Sequence, residues 1–180
     1  MATSILDGKG RGNVASVNGS NRLQVQAVIE TDLHNRSDEG QSFTWASGTY
    51  DPAQDDTILM LKNTGDTPLH ITDMWIKSDI DTRVVVHLPT AEVTMAGTII
   101  TGVNLNTGRN DVADADARRD ETGNTQGDLV WTGEIFEIGD PYHINWGGAL
   151  ILGKNKAVGV DFTVAATAAD VVFWGFFEAE

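Results

Sequence analysis

The chain has no cysteine among its 180 residues, so it holds neither disulfides nor thiolate metal sites in any compartment. It is also poor in basic residues. Twelve Lys and Arg stand against 26 Asp and Glu, a formal charge of −14 with a pI near 4.4. Binding nucleic acid through its phosphates needs clustered Lys and Arg, and an anionic membrane surface makes the same demand, so neither is an expected partner. No apolar run is long enough to span a bilayer, and the residues from Met1 to Asp7 form no apolar signal core. The expectation is a chain made in the cytosol and not exported by the general route.

The marks of the commoner enzyme chemistries are missing too. There is no GxSxG elbow, no thiol nucleophile, no HExxH pair and no Walker or dinucleotide fingerprint. The glycine-rich tip from Gly8 to Gly12 is too short to cradle a phosphate. Glycoside hydrolysis needs two carboxylates across a cleft, and Glu134, Glu137 and Asp140 can be nominated, but any acidic β protein offers such pairs. The reading is of a non-enzymatic chain without a cofactor.

What is present is the grammar of β-structure. Leu59 to Thr72 runs apolar strand, Asn-Thr-Gly-Asp-Thr-Pro turn, apolar strand; Gly65 supplies backbone freedom and Pro68 pre-sets its φ. Leu23, Val25, Ala27 and Ile29 alternate with Arg22, Gln24, Gln26 and Glu30, the period of a half-buried strand. Further strands are expected near 42–46, 57–62, 69–77, 83–88, 98–105, 129–131, 134–138, 142–146 and 149–152. In the last pair, Val158, Val160, Phe162 and Val164 alternate with Gly159, Asp161 and Thr163, and Val171 to Phe177 is apolar on both faces.

No segment holds a long helical period. Many short strands with turn signals predict an all-β, single-domain antiparallel sandwich or jelly roll. Residues 1–21 read as an N-terminal arm and 22–180 as the sandwich. Residues 106–128 are expected as a long polar loop insertion, with a short charged helix possible over 108–121.

Three groups of side chains are candidates for function. Asp111, Asp114, Asp116, Asp120 and Glu121 offer oxygens for a weak cation site, but the spacing is not that of an EF-hand and Arg118 and Arg119 sit inside the cluster; a solvated, self-paired loop is the plainer reading. His34, His70, His87 and His143 fall in no ligand spacing, and His70 and Asp73, three apart on a strand, are expected on opposite faces. The five tryptophans, Trp45, Trp75, Trp131, Trp146 and Trp174, either fill a wide core or line a sugar-binding groove or an interface. Phe173, Trp174, Phe176 and Phe177 are the interface candidates, because a strand apolar on both faces needs a cover on each.

The pieces from Val17 to Ala27, Glu39 to Phe43, Leu59 to Thr72 and Gly102 to Asn106, with the final aromatic strand, together resemble small jelly-roll-like virion structural proteins of tailed bacteriophages, which decorate the head or belong to the tail. The likeness is one of style and order over about half the chain. It implies a head decoration (cement) protein, trimeric by preference, that contacts the major capsid protein and resides in the virion after synthesis in the host cytoplasm. It brings no catalytic residues. A tail or baseplate protein and a carbohydrate-binding module are the alternatives.

Overall fold

In the computed structural model, the described residues are 32–52, 56–90, 93–122, 126–135 and 139–178, with the backbone of three short strands before them. The chain forms two compact units, Met1–Thr31 and Asp32–Glu180. In the first unit β1 (Ile5–Leu6), β2 (Val14–Val17) and β3 (Leu23–Gln24) pair antiparallel. The segment expected as an arm thus contains strands. Of the strand expected over 22–30, only Leu23–Gln24 is seen as strand; 25–31 lie outside the described residues.

The second unit opens with a seven-residue helix, α1 (Asp32–Asp38). It continues with β4 (Ser42–Ala46), β5 (Thr57–Asn63), β6 (Leu69–Ser78), β7 (Thr82–Leu88), β8 (Thr98–Ile100), β9 (Val103–Asn104), β10 (Ala115–Arg119), β11 (Asp128–Ile135), β12 (Tyr142–Leu152), β13 (Ala157–Phe162) and β14 (Ala169–Phe177). These strands make two antiparallel sheets, ordered β11-β7-β13-β5-β10-β8 and β12-β6-β14-β4-β9. The sheets pack face to face as an all-β sandwich.

Period-2 alternation decides what lies between them. The five-stranded sheet contributes Phe43, Trp45, Met74, Ile76, Val171 and Phe173; the six-stranded sheet contributes Leu59, Leu61, Val84, Val86, Val158, Val160 and Phe162. All are buried in one cluster, and each such side chain contributes on the order of 1.5–3 kcal/mol. The outer face of the six-stranded sheet is covered in part as well, where Met60 packs with Val93, Ala157 and Met95.

Local chemistry fixes the connections. Asn63 organises the turn into β6: its Oδ1 accepts from Gly65 N at 3.0 Å, and its Nδ2 donates to Thr67 O and Leu152 O, both at 2.8 Å. This is an Asx-turn tied to the end of β12. The stretches 142–146 and 149–152 belong to one strand, interrupted by a bulge at Gly147 and Gly148, whose φ values of 57° and 84° suit glycine. The segment 98–105 does not remain one strand. Its first half joins the six-stranded sheet as β8, its second half the five-stranded sheet as β9, and the crossing falls at Gly102 beside Trp45.

Residues 106–128 are not a loop insertion throughout, and no helix forms among the described residues of this stretch. Ala115–Arg119 is a strand between β5 and β8, with Ala117 only 1% exposed. Ala115 and Ala117 supply the inward period, while Asp116 and Arg118, two apart and so on one face, pair with each other at 3.0 Å. The high charge of this segment belongs to the strand's outer side.

Candidate functional site

The outer face of the five-stranded sheet carries a group of polar and aromatic side chains that the core does not use. Because Met74, Phe173 and Trp45 point inward, their strand neighbours point out. The register sets Asn145, Asp73, Trp174, Thr44 and Val103 in one row across β12, β6, β14, β4 and β9. His143, Trp75, Val172 and Ala46 form the next row.

Asp73 is the hub of the first row. It is 9% exposed, and its Oδ1 accepts from His143 Nε2 at 2.7 Å and from Asn145 Nδ2 at 2.8 Å. The His143 ring lies on Trp75 with centroids 4.3 Å apart and planes 13° from parallel. Trp174, directly opposite Asp73, is 37% exposed, the most of the five tryptophans. Trp45 is core; Trp75, Trp131 and Trp146 are half-buried.

The same face continues towards α1. His70 stacks on Phe176 with centroids 4.9 Å apart and planes 3° from parallel. Its Nδ1 lies 2.9 Å from Gly148 O and its Nε2 lies 2.7 Å from Glu178 Oε1. Asp32 and Arg36 of α1 help to line a depression of about 280 Å³ beside this stack. His70 and Asp73 therefore share a face, contrary to the alternation expected of them. Ile71 and Met74 both point inward, and the register shift between Trp174 and Gly175 opposite them is the bulge that makes the difference.

The sequence-derived interface residues separate. Phe173 and Phe177 lie in the core, and Phe176 is covered by the His70 ring. Only Trp174 is left exposed, beside half-buried Val172. The chain itself thus supplies much of the second cover for β14.

The acidic residues do not come together. Asp111 pairs with Arg109 at 2.9 Å, Asp116 pairs with Arg118, and the Asp114 carbonyl accepts from Thr64 N and Gly65 N. Asp120, at φ 59°, donates its N–H to Tyr50 Oη. Glu121 is 1% exposed and accepts from the backbone N–H of Ala96 and Gly97. Among the described residues no three His, Asp or Glu side chains are grouped to hold a metal ion. Glu134 and Asp140 are exposed, and Glu137 lies outside the described residues.

Two other features bring polar groups together. A wider depression of about 530 Å³ is lined by Leu88, Pro89, Thr90, Asp128, residues 151–152 and residues 154–157. Its Lys154 is held by Asp66 at 2.6 Å. His87 and Asp161 are paired but almost wholly enclosed, so no substrate reaches them. Compared with protein families, with curated proteins and with solved structures, the chain matches none.

Proposed function

We propose that this chain is a virion structural protein of a tailed bacteriophage, a decoration (cement) protein of the head in its simplest form. The observation that carries the reading is the strand order. Numbered one to eight along the chain, β4 to β7 and β11 to β14 stand as 1-8-3-6 in one sheet and 2-7-4-5 in the other. We read that interleaving as the two-Greek-key order of a jelly roll, an architecture used by viral capsid proteins and by lectins. The resemblance in Val17 to Ala27 and Leu59 to Thr72 points to the viral member of that pair.

On this reading the function is mechanical. A doubly covered β core resists deformation, and modest contacts repeated by symmetry add up through multivalency. The partners are the major capsid protein and further copies of the chain, as a trimer by preference. Placement in the tail or baseplate is the alternative within the same class.

Immunogold labelling of phage particles from the source culture, with antibody against the purified chain, tests the proposal. Label over heads supports decoration, and label over tails moves the protein to the tail. Unlabelled particles overturn the reading. Sedimentation of the purified chain at micromolar concentration, compared with Trp174→Asp, tests whether the exposed face takes part in self-assembly.

A further inference from the structure

We infer that the outer face of the five-stranded sheet is a carbohydrate-binding face, with the Trp174 indole taking the C–H side of a neutral sugar ring and Asp73, Asn145 and His143 taking its hydroxyls. The inference does not rest on the virion reading; it would hold for a lectin-like jelly roll of any origin.

The chemistry of the face selects the ligand. A pyranose has an apolar C–H face and a rim of hydroxyls that both donate and accept. Trp174 offers a partly free aromatic surface, and directly opposite it stands a carboxylate with an amide beside it. Oδ1 of Asp73 already takes two donors, from His143 and Asn145, which leaves Oδ2 to accept from a ligand hydroxyl. A wholly apolar partner would leave Asp73 and Asn145 desolvated without compensation. A nucleic acid would meet a chain of formal charge −14. A neutral polyol satisfies both halves of the surface and meets no repulsion.

The polar groups are also arranged before any ligand arrives. Asp73 fixes the amide of Asn145 and the ring of His143, and Trp75 holds that ring from the side. Little side-chain freedom remains to be lost on binding, the condition under which weak contacts give measurable affinity. The row from Asn145 to Val103 crosses five strands, about 19 Å at the usual strand spacing, which is room for a short oligosaccharide and not only one ring. Thr44 and the exposed Val103 extend the same mixed character to the far edge.

The test is an array of bacterial surface polysaccharides and neutral oligosaccharides probed with the full chain, followed by calorimetry on each glycan that binds. Trp174→Ala and Asn145→Ala are expected to stay folded by circular dichroism while weakening binding about tenfold or more, Asn145→Ala with a lowered melting temperature because Asp73 loses a donor. Binding should also shift the tryptophan fluorescence, and the shift should be lost in Trp174→Phe. An array without a hit overturns the inference. So does a hit that both variants bind as tightly as wild type. If Trp174→Ala instead lowers the native mass and no glycan binds, a second copy occupies the face and the inference is wrong.

Discussion

His87 and Asp161 meet on the outer face of the six-stranded sheet, Nε2 3.0 Å from Oδ2, with side chains 1% and 3% exposed. They lie diagonally on β7 and β13, where Gly159 faces His87 and leaves room for its ring. The Gln126 amide closes the site, donating to Asp161 Oδ2 at 2.5 Å. The His87–Asp161 separation is that of an ion pair, but the approach is not aligned as a hydrogen bond. The pair is thus enclosed without being fully satisfied. Asp161→Ala strands a buried imidazole and should cost about 3–5 kcal/mol in urea unfolding, the range for breaking a buried pair from one side. Replacing both members with leucine should cost much less, since well-packed apolar residues often substitute for a buried pair without loss. Equal losses for the single and double variants would mean that packing, not polarity, sets the energy here.

Tyr50 gives the fold an alkaline limit. Its hydroxyl donates to Ile58 O at 2.8 Å and accepts from Asp120 N at 3.2 Å. Burial pushes its pKa well above the ordinary 10.0, and this outweighs the opposing pull of the Asp120 N–H. A group whose folded pKa is raised stabilises the fold fully below its unfolded value. That stability is lost as pH rises from about 10 towards the folded value. In Tyr142→Phe, which leaves Tyr50 as the one remaining tyrosine, phenolate absorbance should stay absent past pH 10 and rise together with unfolding. Tyr50→Phe should lose about 1 kcal/mol at neutral pH and shed much of the alkaline dependence. A normal titration near pH 10 in the folded protein would contradict the burial.

Much of this architecture can be read along the chain. The Asn63-to-Pro68 turn and the alternation of Val158, Val160 and Phe162 are local signals and appear in the structure, while Val164, read with them, lies past the end of β13 and is exposed. What escaped reading is non-local or weak. In β10 the inward residues are alanines, too small to stand out against Asp116 and Arg118. The bulge opposite Trp174 and Gly175 has no mark in the sequence, and it is what brings His70 and Asp73 to one face. Trp174 could be singled out from its strand, but the bonds that Asp73 makes with His143 and Asn145 join residues 70 and 72 positions away. Only the β6–β12 register puts them together.

Gly102 and Trp45 are matched in shape. A Cβ on Gly102 would stand 2.5 Å from the indole Nε1 of Trp45, which is fully buried. The chain passes here from one sheet to the other, and Trp45 is packed within the core. Gly102→Ala should destabilise by about 1–3 kcal/mol, the usual range for overpacking, and should alter the near-ultraviolet circular dichroism of the tryptophans. An unchanged spectrum with unchanged stability would show that the crossing relaxes more easily than its packing suggests.

Glu121 holds the segment that covers Met60. Its Oε1 accepts from Ala96 N and Gly97 N, both at 2.7 Å, and its Oε2 accepts from Ala96 N at 3.0 Å. The same residue bridges Thr57 through its backbone, so one position ties the 93–97 segment to the start of β5. Hydrogen bonds to a charged acceptor contribute about 1.5–3 kcal/mol, and removing the acceptor leaves backbone donors unsatisfied. Glu121→Ala should therefore cost about 2–3 kcal/mol. It should also speed amide exchange at Ala96 and Gly97 more than in the strands, because the loss is local before it is global. Glu121→Gln keeps an oxygen where Oε1 stands and should retain most of the protection. Val93 and Met95 lie on Met60 just before these amides, so loosening them should uncover the outer apolar cluster and raise binding of a hydrophobic dye. Uniform exchange across the sandwich in Glu121→Ala, with no preference for 96–97, would show that the carboxylate is not what holds the segment down.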